Sequence, residues 1–206
     1  MNILDDAGEP VPAGTKGNLV ITAPFPTLAR AVWDDPERYH KAYFSRFPGS
    51  YSTNDEAVED HDGHLWVLGR ADDVINVAAH RISTLEIEAI AISHPQVAEA
   101  AVVGVPDEVK GTVPVAFLTL LDGADPGEVR HQVSESVTSQ LGGYARLSHV
   151  YLTAALPKTR TGKIMRRLLR DVVEHGEPRG DTSAMEDETG LTNVQAAVSS
   201  SRATDG

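Results

Sequence analysis

Two apolar, β-branched runs at 98–105 (AEAAVVGV) and 112–121 (TVPVAFLTLL), separated only by PDEVKG, constrain this chain more than any other feature. Branched and aromatic side chains fit a pleated surface, and runs of this length bounded by turn residues read as strands. Helical signals surround them. Ser83 with Glu86 makes a capping-box pattern ahead of Leu85, Ala89 and Ile92 at helical spacing, and Pro95 stops that helix. Asp125 and Pro126 supply a cap and a first-turn residue, Val129, Val133, Val137 and Leu141 form one stripe, and Gly142 with Gly143 closes the helix. A two-stranded element at 71–83 (ADDVINVAAHRIS), a strand near 150–154 and a last helix carrying Ile164, Leu168 and Leu169 complete the set. The order hairpin, helix, strand, strand, helix, strand, helix predicts a small α+β domain with a mixed sheet and helices, about 100 residues long.

The residues on either side have a different texture. From 1 to 69 the chain reads as β-rich and incomplete: Gly8, Pro10, Pro12, Gly14 and Gly17 punctuate short segments, NLVIT at 18–22 is the first convincing strand, and Asp62-Gly63 is a hairpin turn signal before a strand at 65–68. Aromatics at Tyr39, Tyr43, Phe44 and Phe47 fall near helical spacing. From 177 to 206 Ser, Thr, Asp, Glu and Gly dominate, which predicts a flexible tail with at most one short helix near 191–198.

Charge and composition exclude several classes. With 30 acidic against 18 basic residues the formal charge is -12, which argues against nucleic acid or an anionic membrane as partner. There is no cysteine, so disulfides, thiolate metal sites and cysteine nucleophiles are excluded. The opening MNILDDAGEP is acidic where a signal peptide needs a basic start and an apolar run, and no later stretch is long enough to span a bilayer; the expectation is a cytoplasmic protein without a membrane partner.

The one dense basic cluster is LPKTRTGKIMRRLLR at 156–170. It predicts a polar, turn-forming loop with Lys163 at the mouth of a helix, where unpaired N–H groups and a partial positive charge favour a phosphate or carboxylate. A solvated basic face on an amphipathic helix explains the same residues equally well. It is not a Walker loop, because position 157 is Pro and Ile164 stands where Ser or Thr is required. His61, His64 and His80 lack the spacing of a known zinc site, so no metal site is expected.

Three stretches, YSTNDEA, GRADDVINVAAHRISTLEIE and LPKTRTGKIMRR, in this order and at these separations, resemble the closing motifs of AMP-forming acyl-CoA synthetases, within the wider family of adenylating enzymes. The likeness is nearest to the acetyl-CoA and propionyl-CoA synthetase branch, where GRxDDVINVxGHR precedes LPKTRSGKIMRR. The resemblance implies that residues 1–69 are the tail end of a large N-terminal adenylate-binding domain and that 70–176 are a mobile C-terminal domain turning about a hinge at Asp72. It implies an enzyme that activates a short-chain carboxylic acid, acetate or propionate, with ATP to an acyl-adenylate and transfers the acyl group to CoA, releasing AMP and pyrophosphate. Asp55 then matches the aspartate on the ribose hydroxyls of ATP, Arg70 an arginine near the same ribose, and Arg81 one that reaches the adenylate phosphate. Asn76, Ala78, Ala79 and His80 match the loop that serves thioester formation, and Lys163 matches the lysine on the carboxylate and bridging phosphate oxygen during adenylation. Mg2+ is expected with ATP and is ligated outside this chain.

Some positions depart from that pattern. Asn54 stands where Gly usually precedes the ribose aspartate, Ala79 stands where Gly usually lets pantetheine pass, and Thr138 or Ser139 falls where acetyl-CoA synthetases place an arginine on a CoA phosphate. The nucleotide loop and acyl pocket are not in this sequence, so the chain is expected to be inactive without a separate N-terminal adenylation domain. Read without the family, Asp55 is better taken as a turn residue and Arg70 and Arg81 as ion-pair partners of Asp72, Asp73 or Glu86, and Asn76 reads as a polar strand residue. A non-catalytic binding or regulatory module, or a decayed fragment of such an enzyme, is the alternative.

Overall fold

The computed structural model describes residues 1–23, 25–78 and 80–204. The chain divides between Asp72 and Asp73 into two compact units.

The first unit is an antiparallel sheet of β1 (Asn2–Leu4), β2 (Lys16–Ile21), β3 (Tyr51–Glu59) and β4 (Leu65–Arg70), in sequence order, with helix α1 (Pro36–Tyr43) between β2 and β3. Asp35 caps α1 by accepting the Arg38 N–H at 2.9 Å, and Pro36 gives up no helical bond at the first position. The buried apolar groups are few: Ile3, Leu19 and Ala57 in one cluster, and Leu4, Val20 and Phe47 in another. Strand β4 is an edge, and Trp66 on it is 60% exposed.

The second unit has the expected α+β order. Its sheet runs β6 (His80–Ser83), β5 (Val74–Val77), β8 (Gly111–Leu120), β7 (Val97–Asp107), with β9 (His149–Leu152) parallel to β8. The two apolar runs pair with each other from Val97↔Leu120 to Asp107↔Gly111, so the expected six-residue connection shortens to a tight turn. Their near-continuous apolar character follows from cover on both faces. Ala100, Val102, Ala116 and Leu118 meet helices α2 (Thr84–Ile92) and α3 (Pro126–Leu141). Ala101, Val103, Val113, Val115 and Phe117 meet α4 (Arg166–His175) and α5 (Thr189–Thr204). The expected caps form: Ser83 accepts the Leu85 N–H, and Asp125 accepts those of Gly127 and Glu128. Val129, Val133 and Val137 are buried, each contributing roughly 1.5–3 kcal/mol.

Helix α5 departs from the expected tail. It is sixteen residues long, and Leu191, Val194 and Val198 are buried in the core beneath the second sheet face. The stripe is three residues at helical spacing inside a polar segment. There it packs against α4 and β9, which give its three apolar residues a surface to cover.

Candidate functional site

Asp55 owes its setting to a bulge. The β2–β3 register steps from Leu19↔Asp55 to Val20↔Ser52, leaving Thr53 and Asn54 unmatched. Asn54 sits at φ 58°, in the left-handed region that Asn tolerates better than most residues, and its amide donates to the Ala42 carbonyl at 3.3 Å. The Thr53 hydroxyl donates to the Leu19 carbonyl and accepts the Asp55 N–H. Asp55 lies directly across from Arg70 on β4; the guanidinium reaches its carboxylate at 3.5 Å and donates to the Thr53 carbonyl at 3.1 Å. The result is a partly exposed carboxylate with a cation beside it, able to accept two hydrogen bonds from one ligand.

The second group sits on the β5–β6 hairpin, which follows a short 3-10 turn over Ala71–Asp73 that contains Asp72. Cross-strand register pairs Asn76 with Arg81 and Val77 with His80. Ala79 lies outside the described residues. Ala78 is held at φ 47°, and its N–H donates to the Lys110 carbonyl from the β7–β8 turn at 3.1 Å. An alanine there carries about 1–2 kcal/mol of left-handed strain. Ala78→Gly is therefore expected to raise stability by about 0.5–1 kcal/mol after glycine's greater unfolded-state freedom is subtracted, measured as a shift in the urea midpoint at constant slope. The His80 ring stacks on Tyr144, with centroids 4.1 Å apart and planes 15° apart. Nothing in the sequence points to Tyr144.

Lys163 is not at a helix mouth. The stretch 158–164 forms a small hairpin in which Thr159 N–H donates to the Lys163 carbonyl at 2.9 Å, Lys163 N–H donates to the Thr159 hydroxyl at 3.2 Å, and Lys158 bridges Ile164. Those bonds consume the backbone groups that a helix would need, and Gly162 takes φ 80° at the tip, so α4 starts only at Arg166. No helix N-terminus therefore acts at Lys163. Residues 160–163 are exposed, and among the described residues the Lys163 ammonium has no ion pair or hydrogen bond.

Its neighbours are tied down. Lys158 pairs with Glu99 on β7. Arg166 makes a two-pronged contact with Glu88 of α2, at 3.0 and 2.7 Å, while Glu88 also accepts the Val102 N–H at 2.8 Å. Burial opposes the Arg166 charge, but the hydrogen bonds and charge of Glu88, with Asp73 beyond, outweigh it and hold the pKa above the usual arginine value. Glu88 and Glu99 give no sign of this in the sequence, since acidic side chains on a helix or strand normally face water.

The hairpin turn and the Lys163 loop use opposite ends of β7. The turn is bonded to Lys110, next to the Asp107↔Gly111 end, whereas the base of the loop is paired with Glu99. At about 3.3 Å per residue these ends are roughly 26 Å apart. An open groove of about 830 Å3 along α3 gathers His94, His131, Thr138, Ser139 and Arg146, so an arginine shares the groove with Thr138 and Ser139. Asp60, Asp62 and His64 bring ligand-type atoms within 4.8 Å of one another, but the Asp60 oxygens already accept the Asp62 and His64 N–H groups and the Trp66 indole. That turn is exposed. No helix among the described residues is long and apolar enough to cross a membrane.

Residues 86–163 match the AMP-binding enzyme C-terminal domain. The chain is 49% identical to the acetyl-coenzyme A synthetase of Pyrobaculum arsenaticum over 96% of its own length and 29% of that protein's, and 50% identical to the enzyme of Pyrobaculum aerophilum with the same coverage. It thus spans about three tenths of the length of these relatives. Among solved structures, the amide bond synthetase McbA from Marinactinospora thermotolerans is similar at TM-score 0.69 and 32% identity, over 82% of this chain and 33% of that one.

Proposed function

We propose that this chain, whose residues 86–163 match the AMP-binding enzyme C-terminal domain, works as the C-terminal part of an AMP-forming acid–CoA ligase. Its substrate is a short-chain acid, acetate by likeness to its relatives. The carboxylate attacks the α-phosphate of ATP and pyrophosphate leaves; the CoA thiol then attacks the acyl carbon and AMP leaves. Negative charge builds on oxygen in the first step, and a positioned ammonium stabilises it without transferring a proton. Lys163 suits that role, being exposed, charged, free of internal partners among the described residues and held at the tip of a short hairpin. Asp55, with Arg70 beside it, fits a ribose diol, and Arg81 a phosphate. By the same likeness Asn76, Ala78 and His80 of the β5–β6 hairpin, together with Ala79, serve the thioester step.

The observation that carries this reading is the placement of the Lys163 loop and the β5–β6 turn at opposite ends of β7. One rigid unit cannot present both ends to one reaction centre, so alternation about Asp72, the last residue of the first unit, supplies them in turn. The sparse core of residues 1–69 and the exposed edge at Trp66 support reading that segment as part of a larger adenylate-binding domain. Mg2+ accompanies ATP as part of the substrate and is ligated outside this chain.

Calorimetry separates this reading from a self-sufficient binding module. The chain alone is expected to show no measurable heat with AMP, an acyl-adenylate analogue or CoA at micromolar concentration, and to bind the analogue once the N-terminal portion of an acetyl-CoA synthetase is added. Tight binding of any of the three by the chain alone contradicts it.

A further inference from the structure

We propose that residues 182–204 are a positioning strap for the Lys163 loop, so that adenylation depends on a segment outside the matched family region; this rests on the role proposed for Lys163. The 158–164 hairpin is bonded on its outer side by the strap. Thr159 bridges Met185, and the Glu186 N–H donates to the Lys158 carbonyl at 2.8 Å. The first turn of α5 then lies against the point where the chain leaves the sheet for the loop. A Cβ on Gly190 would fall 2.5 Å from the carbonyl carbon and oxygen of Leu156 and 2.6 Å from the Pro157 nitrogen, so this close approach requires glycine.

The strap is itself fixed. Met185, Leu191, Val194 and Val198 are buried with Leu156, Leu168 and Leu169, and Arg167 of α4 donates to the carbonyls of Arg179 and Asp181. The tip that carries Lys163 is exposed and, among the described residues, is closed by Thr159 alone, so its direction is inherited from the base. Shifting Lys158 and Thr159 against the sheet moves the ammonium. A misplacement of about 1 Å costs on the order of a hundredfold where the group must meet developing charge.

Two variants of the full chain test this. Gly190→Ala forces a backbone contact apart, although the same change in an unobstructed helix is stabilising. Glu186→Pro removes the N–H given to Lys158 and also fixes φ at 186 and restricts Met185 before it, loosening the strap at both of its bonds to the hairpin, and Glu186→Ala, which keeps the N–H and the backbone freedom, is its control. In the chain alone, amide exchange over 157–165 is expected to speed up at least about tenfold in both variants, with β7 and β8 unchanged and Glu186→Ala like wild type. Combined with the N-terminal portion of an acetyl-CoA synthetase, both variants should lose at least about tenfold in adenylation kcat while thioester formation from supplied acyl-adenylate stays within about twofold. Should Gly190→Ala fail to fold, Glu186→Pro carries the test. Unchanged exchange over 157–165, or equal loss of both half-reactions, overturns the strap. If instead the wild-type mixture makes no adenylate but exchange responds as described, the strap's hold on the loop stands and the role of Lys163 falls.

Discussion

Lys163→Ala is expected to lower acid-dependent adenylation by about a hundredfold to a thousandfold in the assembled enzyme, while thioester formation from supplied acyl-adenylate changes by less than about twofold. The size follows from removing one preorganised charge at a centre where charge develops. The selectivity follows from the proposed alternation: the Lys163 loop and the β5–β6 turn sit at opposite ends of β7, and under that proposal the lysine is withdrawn when the turn is in use. The ammonium makes no internal ion pair among the described residues, so its loss leaves no buried charge and should leave folding intact. Stopped assays of each half-reaction, with a thermal melt as control, read all three points. Equal loss of both half-reactions contradicts the assignment.

Glu88→Ala is expected to be strongly destabilising. Glu88 is almost fully buried and Arg166 is mostly so, with 8% and 20% of their side chains exposed, so solvent screens the pair little. Removing the carboxylate strands a buried guanidinium and the Val102 N–H together, which typically costs about 3–5 kcal/mol. A second change, Arg166→Met, should recover much of the loss, because the stranded charge is then gone. Urea midpoints of the single and double variants measure the coupling. A loss below about 1 kcal/mol for Glu88→Ala means that water reaches the pair.

Much of this fold is legible in the sequence because its signals are local. The two β-branched runs, the Asp125-Pro126 cap and the Val129–Val133–Val137 stripe each depend on neighbours a few residues away, and each forms as expected. The Lys163 loop departs from the expected helix start because the hydroxyl of Thr159 and the left-handed Gly162 close a hairpin, an alternative that periodicity cannot score. Helix α5 exceeds the expected short helix because its three buried residues gain stability from packing against α4 and β9, which is a tertiary fact. For the same reason the pairs Glu88–Arg166 and His80–Tyr144, separated by 78 and 64 positions in the chain, leave no trace in local spacing. Asn54 is the reverse case: Asn in place of an expected Gly points to a positive φ, and the bulge supplies it.

Pyrophosphate exchange into ATP reads the adenylation step by itself. The chain alone, with acetate or propionate, is expected to give no exchange above background. Mixed with the N-terminal portion of an acetyl-CoA synthetase it should give acid-dependent exchange that Lys163→Ala abolishes. Exchange by the chain alone, or exchange in the mixture that Lys163→Ala leaves unchanged, contradicts the account.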